Sequence, residues 1–481
     1  MQTLIPAPVS SQAQPAGRLG RILGTTLTAR ALWLLAAGLL CAIPGFFGLH
    51  WVLLVVAWDG LIVALVVADA LATPRPGALR VTRTFIDSPV LGRETRVELE
   101  VVHATNRLLR VHVADDLHPA LAQLPPSGWL TAFPRDPARL AFTITPGRRG
   151  DYSLGGIWLR WRGAMGMVER RGVCRPAQRV RVYPPMERTA DDQAMYLLRI
   201  RQIEIQRRRL RLTGTGREFD HLRDYRRGDE MRTISWPATA RRSRIVTREF
   251  TTERSQQVWI VLDAGRLSGT VCELRRAGAG TFRDAAGDEE FVLSFTQLDQ
   301  ACGAGLALAQ TVMQTGDKAG LLVYGRGIQQ QLLPAGGAGH LRTMIDALSL
   351  ARSEGSEADH LRAAACLAQL QRRRGLVLWI TEMADSARRP EVADAAVDLA
   401  RRHLVLLVVL SHPEIVAAAG RPPRTPLEMY ESAAAQELTE RRRLTLGALR
   451  AKGVLVVETT PGALRSDAIN EYLELKARGM L

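Results

Sequence analysis

Gln257-Val258-Trp259-Ile260-Val261-Leu262-Asp263-Ala264-Gly265-Arg266-Leu267-Ser268 is a short apolar run that ends in an acid and a glycine turn. Apolar side chains at every position from Val258 to Leu262 predict a strand buried on both faces, which in practice means a parallel strand inside a sheet. Similar runs recur downstream at Lys318 to Tyr324, Leu376 to Ile380, Leu404 to Leu410 and Val454 to Val457. Amphipathic stretches lie between or after them, near residues 291–314, 340–350, 360–373, 390–402, 427–451 and 467–477. Strands alternating with helices predict a doubly wound α/β domain over residues 256–481, a mostly parallel sheet covered on both faces. In that class ligand groups stand at the carboxyl ends of the strands, so Asp263 and Glu382, which follows Leu376 to Ile380, are the candidate site residues.

Upstream the periodicity changes from continuous to alternating. Val97, Leu99 and Val101 alternate with Arg96, Glu98 and Glu100, Leu140, Phe142 and Ile144 repeat the pattern, and so do Ile157, Leu159 and Trp161. Period two with Pro and Gly turns predicts an antiparallel β-sandwich over residues 74–185. Further upstream, from Ala31 to Thr73, there is no Lys, Arg or Glu, and His50, Asp59 and Asp69 are the only His or acidic residues. Pro44-Gly45 divides this run into about 31–47 and 51–71. Each half approaches the ~20 apolar residues that cross a bilayer, which predicts a transmembrane hairpin at 31–73 behind a cytosolic tail at 1–30. Arg18, Arg21 and Arg30 precede it and Arg75, Arg80, Arg83 and Arg93 follow it, so the positive-inside rule places both ends in the cytoplasm. The expected location is the cytoplasmic (inner) membrane, with contact to the lipid bilayer through residues 31–73. Asp59 then lies inside the second span, as a polar contact to a partner helix or a water-reached acid.

The chain of 481 residues is long enough for two or three domains. Its formal charge is +16, from 64 Lys and Arg against 48 Asp and Glu, and the cations are overwhelmingly Arg. Five scattered cysteines with no CxxC pair fit a reducing compartment. Phosphate-loop, HExxH, GxSxG and kinase patterns are all missing, so no catalytic residue is assigned, no cofactor is expected, and the chain reads as a non-enzymatic protein. A hydrolase with an unrecognised site near Asp263 is the alternative among enzymes.

Between these domains lies a connector at 186–255. From Arg199 to Arg254 it holds 16 Arg and 8 acidic residues, a formal +8. Such a surface suits an acidic partner, nucleic acid or anionic lipid, although no nucleic-acid reader motif or stacking platform accompanies it, which argues against nucleic acid. The other reading is a structural ion-pair network. In it Glu218, Asp224 and Asp229 neutralise Arg223, Arg232 and Arg241 while Tyr225 and Trp236 pack beneath, making the segment a lock between domains.

Within 216–241 the residues Glu218, Phe219, Leu222, Arg223, Tyr225, Gly228, Asp229, Arg232, Ile234, Trp236, Ala238, Ala240 and Arg241 fall at the spacing of a family signature. The chain resembles the bacterial and archaeal family called domain of unknown function 58. Ser235 stands where an Asp or Asn commonly precedes the Trp, and Pro237 replaces a usual Lys. The order of parts is also similar: two membrane spans, a β-sandwich, the signature, and a von Willebrand factor type A-like domain. In the A-domain comparison Asp263 fits the Asp-x-Ser-x-Ser metal loop, but Gly265 and Leu267 replace both hydroxyls, so the site with Glu382 is degenerate and no metal is expected. The resemblance implies association with MoxR-type AAA+ ATPases. It would make the protein a membrane-anchored adaptor that presents an A-like binding domain to the ATPase and to a client the sequence does not name.

Overall fold

The computed structural model describes residues 5–15, 25–40, 51–106, 108–122, 124–185, 218–226, 231–251, 255–274, 293–383 and 390–481. The chain divides into two compact units, Met1–Tyr183 and Pro184–Leu481. Among the described residues there are several sheets and ten α-helices.

In the first unit, β1 (Val9–Gln12), β2 (Gln14–Pro15) and β3 (Thr26–Leu27) precede two apolar helices, α1 (Ala29–Ala37) and α2 (Trp51–Ala72). Nine strands follow: β4 (Leu79–Phe85), β5 (Thr95–His103), β6 (Leu109–Asp115), β7 (Ser127–Ala132), β8 (Ala138–Ile144), β9 (Gly150–Ser153), β10 (Ile157–Arg162), β11 (Val168–Cys174) and β12 (Arg179–Val182). One antiparallel sheet runs β1-β4-β5-β8 and another β2-β11-β10-β6-β7. Alternation decides which residues face inward. Leu79, Val81, Leu99 and Val101 of the first sheet join Val111, Val113, Ile157, Leu159 and Trp161 of the second in one buried cluster. Each large apolar side chain buried there contributes roughly 1.5–3 kcal/mol.

Only one described helix, Val52–Ala72, is long and apolar enough to cross a membrane. The first apolar segment forms a shorter helix, Ala29–Leu40, and the rest of the expected 31–47 span lies outside the described residues. Trp58 Nε1 donates to the Leu34 carbonyl at 2.9 Å, so the two helices touch. The carboxylate of Asp59 lies against Gly38, close enough that a Cβ there would sit 2.6 Å from its Oδ1.

The second unit begins with a hairpin of β13 (Glu218–Asp224) and β14 (Val246–Thr251), with α3 (Trp236–Arg242) between them. Next come β15 (Gln257–Asp263), β16 (Val271–Leu274), β17 (Leu293–Thr296), α4 (Gln297–Gln314), β18 (Lys318–Tyr324), β19 (Ile328–Ala335), α5 (Ala338–Leu350), α6 (His360–Leu370), β20 (Leu376–Thr381), α7 (Glu391–Ala400), β21 (Leu404–Leu410), α8 (Pro413–Gly420), α9 (Pro426–Ala451), β22 (Leu455–Thr459) and α10 (Leu464–Ala477). The main sheet runs β19-β18-β15-β20-β21-β22. Its strands are parallel except β19, which turns back antiparallel on β18. All seven residues of β21 are buried, as a strand covered on both faces requires. Trp259, Val261, Trp379 and Leu407 pack with α6, α7 and α9 on one face. On the other, α4 comes so near that a Cβ on Gly305 would meet Ile260 Cγ2 at 3.3 Å. Thr296 caps α4 reciprocally with Asp299, which fixes where that helix starts.

The expected helix at 291–314 is thus shortened by strand β17 at its start. Of the expected connector at 186–255, residues 186–217 lie outside the described residues.

Candidate functional site

The signature segment folds as a small hairpin. β13 pairs with β14 antiparallel, with an irregularity between Phe219 and His221. The Tyr225 amide donates to the Ile245 carbonyl at 3.0 Å, and the Ser235 amide to Val246 at 2.8 Å, which holds α3 against the pair. Pro237 stands in the first turn of α3, where a missing N–H costs nothing, and Ser243 ends it in the left-handed region at φ 52°.

The segment departs from expectation at Trp236, and Asp224 has a partner outside the expected network: it pairs with Arg244 at 2.9 Å, two residues before Val246, which faces it across the hairpin. Trp236 does not pack beneath: it is 63% exposed, on the open side of α3, as are Met231 at 75% and Ile245 at 47%. Arg241, Arg242 and Arg244 are exposed beside them, and Tyr225 is half-buried. Gly228 and Asp229 lie outside the described residues, as do the side chains of Glu218, Phe219 and Arg232. The indole of Trp236 thus stands in the open among exposed arginines of the hairpin.

A family model described as a protein of unknown function, DUF58, matches residues 221–277 and 283–417. The match makes the C-terminal region of the chain, and not its first 220 residues, a DUF58 region. The match starts within the signature hairpin and continues through β21, so most of the DUF58 region is the α/β sheet. No curated protein matches the chain.

The DUF58 region also contains the strand-end site. Asp263 ends β15, and Glu382 follows directly on β20, the neighbouring strand, so the sheet brings the two candidates side by side. They line a cavity of about 220 Å³ together with Arg266, Glu357, His360 and Glu391. Asp263 Oδ1 accepts from the Gly265 amide at 2.8 Å, and Oδ2 from the Thr381 hydroxyl at 2.7 Å. Burial pushes its carboxyl above the ordinary aspartate range, against the His360 charge and these two hydrogen bonds. Glu382 is also buried; its Oε1 contacts His412 Nε2, and Oε2 has no hydrogen-bond partner.

A divalent cation does not fit these residues. It requires about six oxygens, yet both oxygens of Asp263 already accept from the protein. A serine at 265 has no room, since a Cβ there would stand 2.8 Å from the Ala358 backbone nitrogen. The Leu267 side chain offers no oxygen, and among the described residues no group of three or more His, Cys, Asp or Glu is placed to share an ion.

Sequence reasoning passed over the aromatic layer behind Asp263. Trp379 Nε1 donates to the Tyr324 hydroxyl at 2.8 Å, and that hydroxyl meets His360 Nδ1 at 2.8 Å. Burial, then the Asp263 charge, raises the Tyr324 hydroxyl well above its ordinary value. Tyr324 ends β18, so the strand-end rule that selected Asp263 also selects it; His360 starts α6 and carries no such signal. Among the described residues that line it, the recess holds Asp263, Glu357, Glu382 and Glu391 with one arginine, Arg266.

Proposed function

We propose that this protein is a non-enzymatic, membrane-anchored adaptor that docks a MoxR-type AAA+ ATPase and its client. The observation that carries the reading is the exposed apolar group Trp236, Met231 and Ile245 on the basic signature hairpin. Aromatic side chains flanked by Arg are the commonest energetic anchors of protein interfaces. The hairpin is therefore read as a docking element rather than as an interdomain lock.

The remaining parts take supporting roles. Helix α2 anchors the chain, and α1 with the residues after it makes the second span of an inner-membrane hairpin whose two ends are cytoplasmic. The two antiparallel sheets act as a β-sandwich spacer, and the α/β unit is a von Willebrand A-like module whose acidic recess takes the place of a metal site. The DUF58 match makes the MoxR-type ATPase the first partner to test.

The test is co-purification of the full chain with such an ATPase across ionic strengths. Trp236→Ala and Arg241→Glu should each weaken association about tenfold or more while leaving the thermal transitions in place, since both side chains are exposed. No association of the unaltered chain at any salt concentration would sink the proposal.

A further inference from the structure

The outward face of the β7-β6-β10-β11 sheet gathers charge around one indole. Trp129 of β7 is 41% exposed. Arg110 stands over its ring at 5.0 Å, Arg160 at 5.4 Å and Arg162 at 6.0 Å. Register explains the convergence: His112 of β6 lies opposite both Trp129 and Arg160, so these side chains share a face by the alternation of the strands. Among the described residues one acid answers the cations. Glu169, with its side chain 8% exposed, lies 3.2 Å from Arg162, 3.3 Å from Arg171 and 3.9 Å from Arg160. Four guanidiniums against one carboxylate leave the face positive, and the second exposed indole, Trp158 at 47%, lies on the same strand as Arg160.

The position of this face says what it meets. Asp69, in the last turn of α2, accepts from the amides of Met165 at 3.1 Å, Met167 at 2.9 Å and Val168 at 3.1 Å. Arg170 donates to the Ala70 carbonyl at 2.8 Å, and Trp161 Nε1 to Pro74 at 3.1 Å. These bonds fasten the end of α2 to the turn between β10 and β11. At about 1.5 Å per residue, the 21 residues of Val52–Ala72 span roughly the 30 Å of a bilayer's hydrocarbon core. The fastened turn therefore stands at headgroup level. Arg162 pairs with Glu169, the residue after Val168, and Arg160 is about 7 Å further along the strand.

We infer that the Trp129 face of this sheet is a docking surface for the anionic phospholipid headgroups beside helix α2. Guanidiniums at a membrane surface attract anionic lipid, and Trp favours the interface, where its ring is half wet. An acidic protein segment would match the charge, but only the bilayer is already brought to this face by the helix. The inference rests on reading α2 as a membrane span.

The full chain is reconstituted into nanodiscs of phosphatidylcholine alone or of phosphatidylcholine and phosphatidylglycerol in equal parts, each with a headgroup-attached quencher. The Trp129 signal is the difference in fluorescence between the unaltered chain and Trp129→Phe. It should be quenched in the anionic discs only, the quenching should fade as salt rises, and it should be lost in Arg160→Glu/Arg162→Glu. Arg160→Gln/Arg162→Gln, which adds no buried negative charge, should lose most of it as well. Equal quenching in both discs, or none in the anionic ones, overturns the inference. So does binding of a single-stranded oligonucleotide or an acidic peptide through the same arginines with no lipid dependence. Alkaline carbonate extraction of the chain from native membranes separates the two readings. If the chain is released, α2 is not a span, and flotation with free vesicles then decides the face: salt-sensitive capture by phosphatidylglycerol vesicles sustains it, and no preference over phosphatidylcholine removes it.

Discussion

Asp115 and Asp263 both end a strand and both are buried, yet the two units treat them differently. Asp115 closes β6 and meets Arg83 of the opposing sheet: Arg83 Nε donates to its Oδ2 at 2.9 Å, and a second guanidinium nitrogen contacts Oδ1. Asp263 closes β15 and accepts only from neutral donors, an amide and a hydroxyl. In the antiparallel unit the other sheet supplies a buried cation, so the acid ties two sheets together. In the parallel unit helices cover both faces, polar groups are confined to the strand ends, and the acid opens onto a cavity. A buried carboxylate with its own cation has its charge answered, whereas one with only neutral hydrogen-bond partners holds its proton more tightly.

Asparagine at each position should therefore have opposite consequences. Asp115→Asn leaves Arg83 buried without a counter-charge and should destabilise the first unit by about 3–5 kcal/mol in denaturant melts, as should Arg83→Met, while the pair replaced together by apolar residues should recover most of the loss. The next largest effect belongs to Thr381→Val, which removes a hydroxyl donor from Asp263 and should cost the second unit about 1–3 kcal/mol. Asp263→Asn should be nearly neutral in acid and stabilising at neutral pH. The folded carboxyl is raised above its unfolded value, so it favours the native state while protonated and loses that contribution as pH climbs past the ordinary aspartate range. Melting temperature against pH should slope downward over that interval in the unaltered chain and flatten in the variant; a parallel shift of the two curves would remove Asp263 as the cause. At the small end, Arg443→Ala breaks only an exposed pair with Glu440 on α9 and should leave both transitions unmoved.

Local pattern made some elements legible and left others hidden. The continuous apolar runs at 258–262, 376–380 and 404–410 fall inside β15, β20 and β21, because a strand buried on both faces admits little else. β19 was missed, since Gln329, Gln330 and Gln331 look like surface loop until pairing with β18 gives them a strand's hydrogen bonds. Helix α8 was missed because its Ala-rich eight residues are too short to show a period. Asp263 and Glu382 were readable as strand-end acids. His360 and His412 were not, for His360 lines the recess from α6 while His412 meets Glu382 from beyond β21, and nothing in linear spacing reports that. Trp236 looks like core because an indole usually is, yet at the first position of α3 it stands exposed.

The sequence alone determined the alternation that makes β5 and β10 one-sided, the unbroken apolar runs of the parallel sheet, the apolar length of α2 and the DUF58 signature. Each of these is a property of neighbouring residues, and one-dimensional spacing is enough to express it. Tertiary structure alone decided that Arg83 answers Asp115, that Ala358 closes the space a metal-binding serine at 265 would need, and that three arginines from two strands surround Trp129. Those are relations between segments far apart in the chain, fixed by strand register and packing, which no local pattern encodes.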